Sequence, residues 1–147
     1  HINPISALMS KIVLCDIDGT VANNNHRQHY LEGKKDWDGF FSELMNDEPI
    51  YKIINQINEL HALGKKIVFL TGRPEKYKYS TTLWLLDYFD FEINLVMRKN
   101  NDYRNKLIIK KELLEKNFNL DEIDLIIDND TNLVSMWKDL GINTIRV

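Results

Sequence analysis

Lys11-Ile12-Val13-Leu14-Cys15-Asp16-Ile17-Asp18-Gly19-Thr20 is the stretch on which the reading of the whole chain turns. A brief, β-branched apolar run ends in two carboxylates one residue apart, then Gly and Thr. Such a run reads as a buried strand. Along an extended chain Asp16 and Asp18 point to the same side, and Gly19 lets the backbone turn tightly. Two like charges at the end of a buried strand repel each other and lose hydration. A cation relieves both costs, and an all-oxygen site suits Mg²⁺. Asp-Gly is also ordinary surface-turn chemistry, so the stretch becomes specific only with matching partners downstream.

Outward from it, strands and helices alternate. Residues 21–36 are polar, show no clear period, and read as a loop or irregular flap over the strand's C-terminal end. Asp36-Trp37-Asp38-Gly39-Phe40-Phe41 leads into a short helix reaching about Met45, which Asp38 could cap. Pro49 suits the first turn of the next helix, whose stripe is Ile50, Ile53, Ile54, Ile57 and Leu60 and whose stop is Gly64. Strands are expected at 65–70, 93–97, 123–127 and 142–147. Helices are expected at 75–89, 105–117 and 131–140. The predicted fold is a mainly parallel five-stranded sheet covered on both faces.

The 147 residues suggest one domain, with residues 1–8 a tail or vector remnant ahead of Met9. A net charge of −3 gives no global pull toward nucleic acid or an anionic membrane, so phosphate recognition must be local. No apolar run is long enough to span a bilayer. The single Cys15 excludes an internal disulfide and fits a reducing, cytoplasmic setting. No phosphate-cradling Gly-x-x-x-x-Gly-Lys-Ser/Thr motif is present, which argues against a kinase activity in these residues.

Three predicted strands end in polar clusters: Asp16-x-Asp18, Thr71-Gly72-Arg73 and Asp128-Asn129-Asp130, with Lys110 on the helix between the last two. Open α/β sheets bind ligands at that end. In this order the clusters resemble the haloacid dehalogenase-like phosphohydrolases, which carry an Asp-x-Asp-x-Thr loop, a Ser/Thr loop, a helix-borne Lys and a late acidic loop. Nearly the whole chain from Lys11 is covered. Within that group the sequence is most similar to the 3′-phosphatase domains of phage polynucleotide kinases. The matching pieces are Asp16 to Thr20, Arg27, Asp38, Thr71 to Arg73, Val96-Met97, Asp102-x-Arg104, Lys110, Asp128, Met136-Trp137 and Gly141-Ile142.

The resemblance implies a Rossmann-like three-layer sandwich without a separate cap domain. It implies Asp16 as the nucleophile forming an aspartyl-phosphate and Asp18 as general acid and then base. Asp16, Asp128 and the Asp18 carbonyl would hold Mg²⁺. Thr71 and Lys110 would hold the phosphoryl oxygens, with Thr20, Gly72, Asp38 and Lys106 as further substrate-binding residues. Arg27 and Arg73 would engage phosphate at the reacting group or a neighbouring nucleotide. The expected activity is removal of a 3′-phosphate from a nucleic-acid end, with a phosphatase of free nucleotides or small phosphomonoesters as the alternative.

Most of these residues also have plainer readings. Arg27, His26 and His29 could be a solvated flap, Arg73 a loop residue, and Asp102–Arg104 a local ion pair. Cys15 reads as a buried strand residue. Two departures from the family stand out: Lys106 replaces an acid often found four residues before the helix lysine, and Asn129 replaces a second Asp. Lys106 shares a helical face with Lys110 and adds positive charge where substrate is expected.

Overall fold

The computed structural model describes residues 11–147; the expectations for residues 1–8 and Met9 lie outside these. Five parallel strands form one sheet: β1 (Ile12–Cys15), β4 (Lys66–Pro74), β5 (Leu95–Arg98), β6 (Ile123–Asp128) and β7 (Thr144–Arg146). Their order is β5-β4-β1-β6-β7. The chain runs outward from β1 through β4 to β5, then returns to the other side of β1. That reversal opens a crevice at the C-terminal ends of β1, β4 and β6.

Alternation along β1 sorts its side chains between two cores. Val13, Cys15 and Ile17 face a cluster containing Ile53, Ile54 and Ile57 of α2 (Tyr51–Ala62) and Trp84 and Leu85 of α3 (Lys78–Leu86). Ile12 and Leu14 face Leu114 of α4 (Lys106–Asn117) and Leu133 and Trp137 of α5 (Thr131–Asp139). The result is the expected three-layer sandwich. The expected helix at 75–89 opens instead with a 3-10 turn, Glu75–Tyr77, before α3.

The segment expected to be a loose flap is a small ordered lobe. Ala22–Asn23 (β2) pairs antiparallel with Glu48–Pro49 (β3), so Pro49 ends a strand and Ile50 precedes helix α2. Between them lie a 3-10 helix, Asn25–Leu31, and α1, Trp37–Ser42. Phe40, Phe41 and Leu44 form a third buried cluster with Tyr30, Leu31 and Tyr77 packed on it. These apolar residues carry no helical or strand period long enough to read from sequence, but together they anchor the lobe. Asp36, rather than Asp38, caps α1, accepting from Gly39 N at 2.9 Å.

Candidate active site

Strand register places the first two carboxylates side by side. Cys15 pairs with Ile127, so Asp16 and Asp128 stand level just beyond. Cys15 also pairs with Phe69, which puts Thr71 two residues further along on the other side. Helix α4 packs along β4 and β5 and delivers Lys110 between the carboxylates. Lys110 Nζ lies 2.7 Å from Asp16 Oδ1 and 3.4 Å from Asp128 Oδ2, and all three side chains are buried. Thr20 Oγ1 donates to the other Asp16 oxygen at 3.0 Å. Burial pushes the Asp16 carboxyl up to about 7, against the pull of the Lys110 ammonium and with the Asp128 charge adding to the rise. Burial acts to lower Lys110, but Asp16 and Asp128 outweigh it and hold the amine charged.

Gly19 turns the chain away from these groups with a φ of +78°. A Cβ there would strike the Asn129 side-chain amide, so glycine is needed for both conformation and space. With its nitrogen facing inward, the Asn129 amide donates to Asp16 Oδ2 at 2.9 Å and to the Asp18 carbonyl at 3.1 Å. With its oxygen facing inward, it meets the Asp16 carboxylate and the Asp18 carbonyl, and the one donor at hand is the Thr20 hydroxyl at 3.3 Å, which Asp16 also draws on. Together with Asp128 this is a donor set that fits a hard divalent cation. Among the described residues no three His, Cys, Asp or Glu side chains are grouped as metal ligands, so the set leans on a backbone carbonyl and an amide.

The Asp18 side chain turns away toward two arginines. Arg27 Nη2 donates to Oδ1 at 2.6 Å, Arg73 Nη2 to the same oxygen at 2.8 Å, and Arg73 Nε to Oδ2 at 3.0 Å. Burial alone would raise the Asp18 carboxyl, but Arg73 and then Arg27 hold it down at about 2. This overturns the plainer reading of both arginines as solvated flap or loop residues. Arg27 is 0% exposed and Arg73 1%, so neither sits on a rim from which to reach a neighbouring nucleotide.

What buries the arginines is Asp47, which the sequence reading did not single out. Its carboxylate accepts from Arg27 Nε and Nη2 at 2.8 Å each and from Arg73 Nη2 at 3.4 Å. His26 Nε2 meets the same group at 2.7 Å, so His26 is an anchored residue and not a free surface histidine. Trp84 Nε1 donates to the Asp47 carbonyl at 3.0 Å, and the Phe40 ring lies 4.2 Å from the Arg27 guanidinium. Two guanidiniums and two carboxylates thus balance in one buried network. The only sequence signal for Asp47 is a carboxylate in the short connection between the expected helix ending near Met45 and Pro49.

Thr71 is buried, and its Oγ1 accepts from Arg73 N at 3.1 Å. The Gly72 carbonyl accepts from Arg98 Nε at 2.9 Å, and the same guanidinium holds the carbonyls of Asp102 and Arg104. Asp38 lies exposed in a pair with Lys76 at 2.9 Å and accepts from the Tyr77 hydroxyl at 2.8 Å. Lys106 pairs with Asp130. Arg104 pairs with Asp102 at 2.9 Å and Glu112 at 2.7 Å. The buried Cys15 thiol is pushed up by burial, as expected of a structural cysteine.

Residues 10–147 match the family model described as the polynucleotide kinase PNKP phosphatase domain. The chain is 30% identical over 146 residues to a protein of Autographa californica nuclear polyhedrosis virus provisionally named a bifunctional polynucleotide kinase/RNA ligase. That match takes in 97% of this chain and 20% of the viral protein. A chain in the structure of the Pnkp1/Rnl/Hen1 complex superposes with a TM-score of 0.77 at 28% identity, over 94% of this chain and 46% of that one. A HAD-like family hydrolase from Porphyromonas gingivalis shares the fold, with a TM-score of 0.57 at 14% identity over 94% of this chain and 91% of its own. The chain therefore spans a fifth to about half the length of the first two relatives.

Proposed function

Since the chain belongs to the polynucleotide kinase phosphatase-domain family, we propose that it is a Mg²⁺-dependent phosphomonoesterase that removes 3′-phosphates from nucleic-acid ends through an aspartyl-phosphate. The observation that carries this reading is the buried Asp16–Lys110–Asp128 cluster at the switch point, with Asp18 beside it in a two-arginine clamp.

An Asp16 oxygen attacks phosphorus, and the bond from phosphorus to the sugar oxygen breaks. Asp18 gives that oxygen its proton. In the free protein Asp18 is ionised, so the charge of the entering phosphate must first raise it toward protonation. Asp18 then takes a proton from water, which attacks phosphorus and breaks the bond to Asp16, releasing inorganic phosphate. The two arginines lower the proton affinity of Asp18, so the bound phosphoryl charge must raise it for this step as well. Lys110 neutralises charge on the phosphoryl oxygens, and Thr71 stands at the neighbouring strand end to donate to them. Asp16, Asp128 and the Asp18 carbonyl, with Asn129 beside them, would hold Mg²⁺, which would supply charge neutralisation and favour ionised Asp16.

One observation favours the small-substrate reading: Lys76, Arg104 and Lys106 are each already paired with a carboxylate. A panel of 3′-phosphorylated oligonucleotides, 5′-phosphorylated oligonucleotides and mononucleotides, assayed for phosphate release with Mg²⁺, separates the two. The 3′-phosphorylated oligonucleotide should show the highest kcat/KM. A preference for mononucleotides would replace this reading with the alternative.

Cation binding has a separate readout. Burial holds Asp16 protonated up to about pH 7, against an ordinary value of 3.8. Between those values the folded state keeps a proton that the unfolded chain loses, so stability falls as pH rises through that window. A divalent cation favours the ionised form, so MgCl₂ should raise Tm more at pH 8 than at pH 5. Asp18 does not interfere, since its stabilising effect is present above 3.8 and is lost only as pH falls through about 2. An equal rise in Tm at both pH values would show that the cation does not engage Asp16.

A further inference from the structure

The Lys106–Asp130 pair differs from the other paired cations in where it stands. Lys106 opens α4, one turn before Lys110 and on the same face, and Lys110 contacts Asp16. Asp130 follows Asp128 by two residues, and its backbone N–H donates to Asp128 Oδ1 at 3.1 Å. The pair therefore bridges the N-terminal ends of α4 and α5 directly beside the reacting groups. Asp130 is held in place from both sides: Oδ1 caps α5 by accepting from Leu133 N at 2.9 Å, and Oδ2 meets Lys106. The Lys106 side chain is 52% exposed and that of Asp130 22%, so an anion arriving from solvent can reach the ammonium.

Asp130 thus gives the partly exposed Lys106 ammonium an internal partner that any anion arriving from solvent must displace. We propose that Asp130 is a specificity-determining residue, an internal counter-ion of Lys106 that competes with the phosphodiester next to the reacting phosphate. The inference rests on the nucleic-acid-end reading above. On this view Lys106 is a phosphate contact held in check, and the polynucleotide must displace Asp130 before using it. Small monoesters have no second phosphate and do not meet this competition.

Asp130→Asn removes the charge and keeps a residue that caps helices equally well; Asp130→Ser is a second cap-competent replacement. At low ionic strength each should raise kcat/KM for a 3′-phosphorylated oligonucleotide about fivefold to tenfold, as expected for one freed charge-assisted contact. Turnover of 4-nitrophenyl phosphate should stay within twofold. The plot of log kcat/KM against log salt should steepen by about 0.7 for a single strand. Adding Lys106→Ala to Asp130→Asn should cancel the gain, because the two residues act on one contact. Equal effects on both substrates would overturn the proposal, since Asp130 would then act through Asp128. So would wild-type turnover of the oligonucleotide with no gain in either variant, and in that case the nucleic-acid reading stands. Absence of oligonucleotide turnover in the wild type and both variants would overturn the two together.

Discussion

Asp16→Asn should abolish phosphate release while leaving the fold intact. The amide has the shape of the carboxylate, and its oxygen can still accept from Thr20 Oγ1, which now lies 3.0 Å from Asp16. Lys110 keeps Asp128 as a partner, 3.4 Å away. The substitution also removes a carboxyl that burial already disfavours in its charged form. Melting temperature at pH 8 without divalent cation should therefore hold or rise. Catalysis has no such compensation, because a neutral amide oxygen is a poor nucleophile. Removal of a covalent nucleophile costs on the order of 10⁴-fold or more in kcat. Turnover within tenfold of wild type, with contaminating phosphatase excluded, would show that another group attacks phosphorus.

Lys110→Ala should damage both stability and activity. Lys110 is the cation within reach of Asp16 and Asp128, and all three side chains are nearly inaccessible. Breaking a buried pair by deleting one partner typically costs about 3–5 kcal/mol. Here it leaves two neighbouring carboxylates to repel each other. They can escape by taking up a proton, so the loss should be largest above pH 7 and shrink as pH falls. Urea unfolding at pH 8 and pH 5 measures both values. Mg²⁺ should restore part of the stability at pH 8, since it neutralises the same carboxylates. It should not restore activity fully, because the lysine also faces the phosphoryl oxygens, and losing one such contact costs roughly 10²–10³-fold in kcat. Unchanged stability at pH 8 would mean that the lysine's charge is not what holds the two carboxylates together.

The sequence by itself determined the sheet, its layers and the groups at its switch point. Val13, Cys15 and Ile17 alternate with Ile12 and Leu14, so one strand announced two cores. Asp16, Thr71 and Asp128 each follow an apolar run, and a parallel sheet brings the ends of such runs together. Lys110 was legible through the family resemblance, which marks a helix-borne lysine between the second and third clusters; the structure sets it beside buried Ile109 and Leu114.

Only the tertiary structure decided what surrounds them. Arg27 and Arg73 are far apart in the chain, and local pattern marks both as solvent-facing polar residues. They are buried because Asp18 and Asp47 balance their charge and Phe40 covers Arg27. Lys106 is a bare cation in sequence and a paired one in space, since its partner Asp130 lies on another helix. Helix α1 was legible, but the packing of the lobe around it was not, for the same reason: its order comes from a three-residue apolar cluster and a buried charge network. Periodicity records how a residue faces its own element. Ion pairing depends on which elements meet, and burying a charge is affordable only where that meeting supplies its opposite.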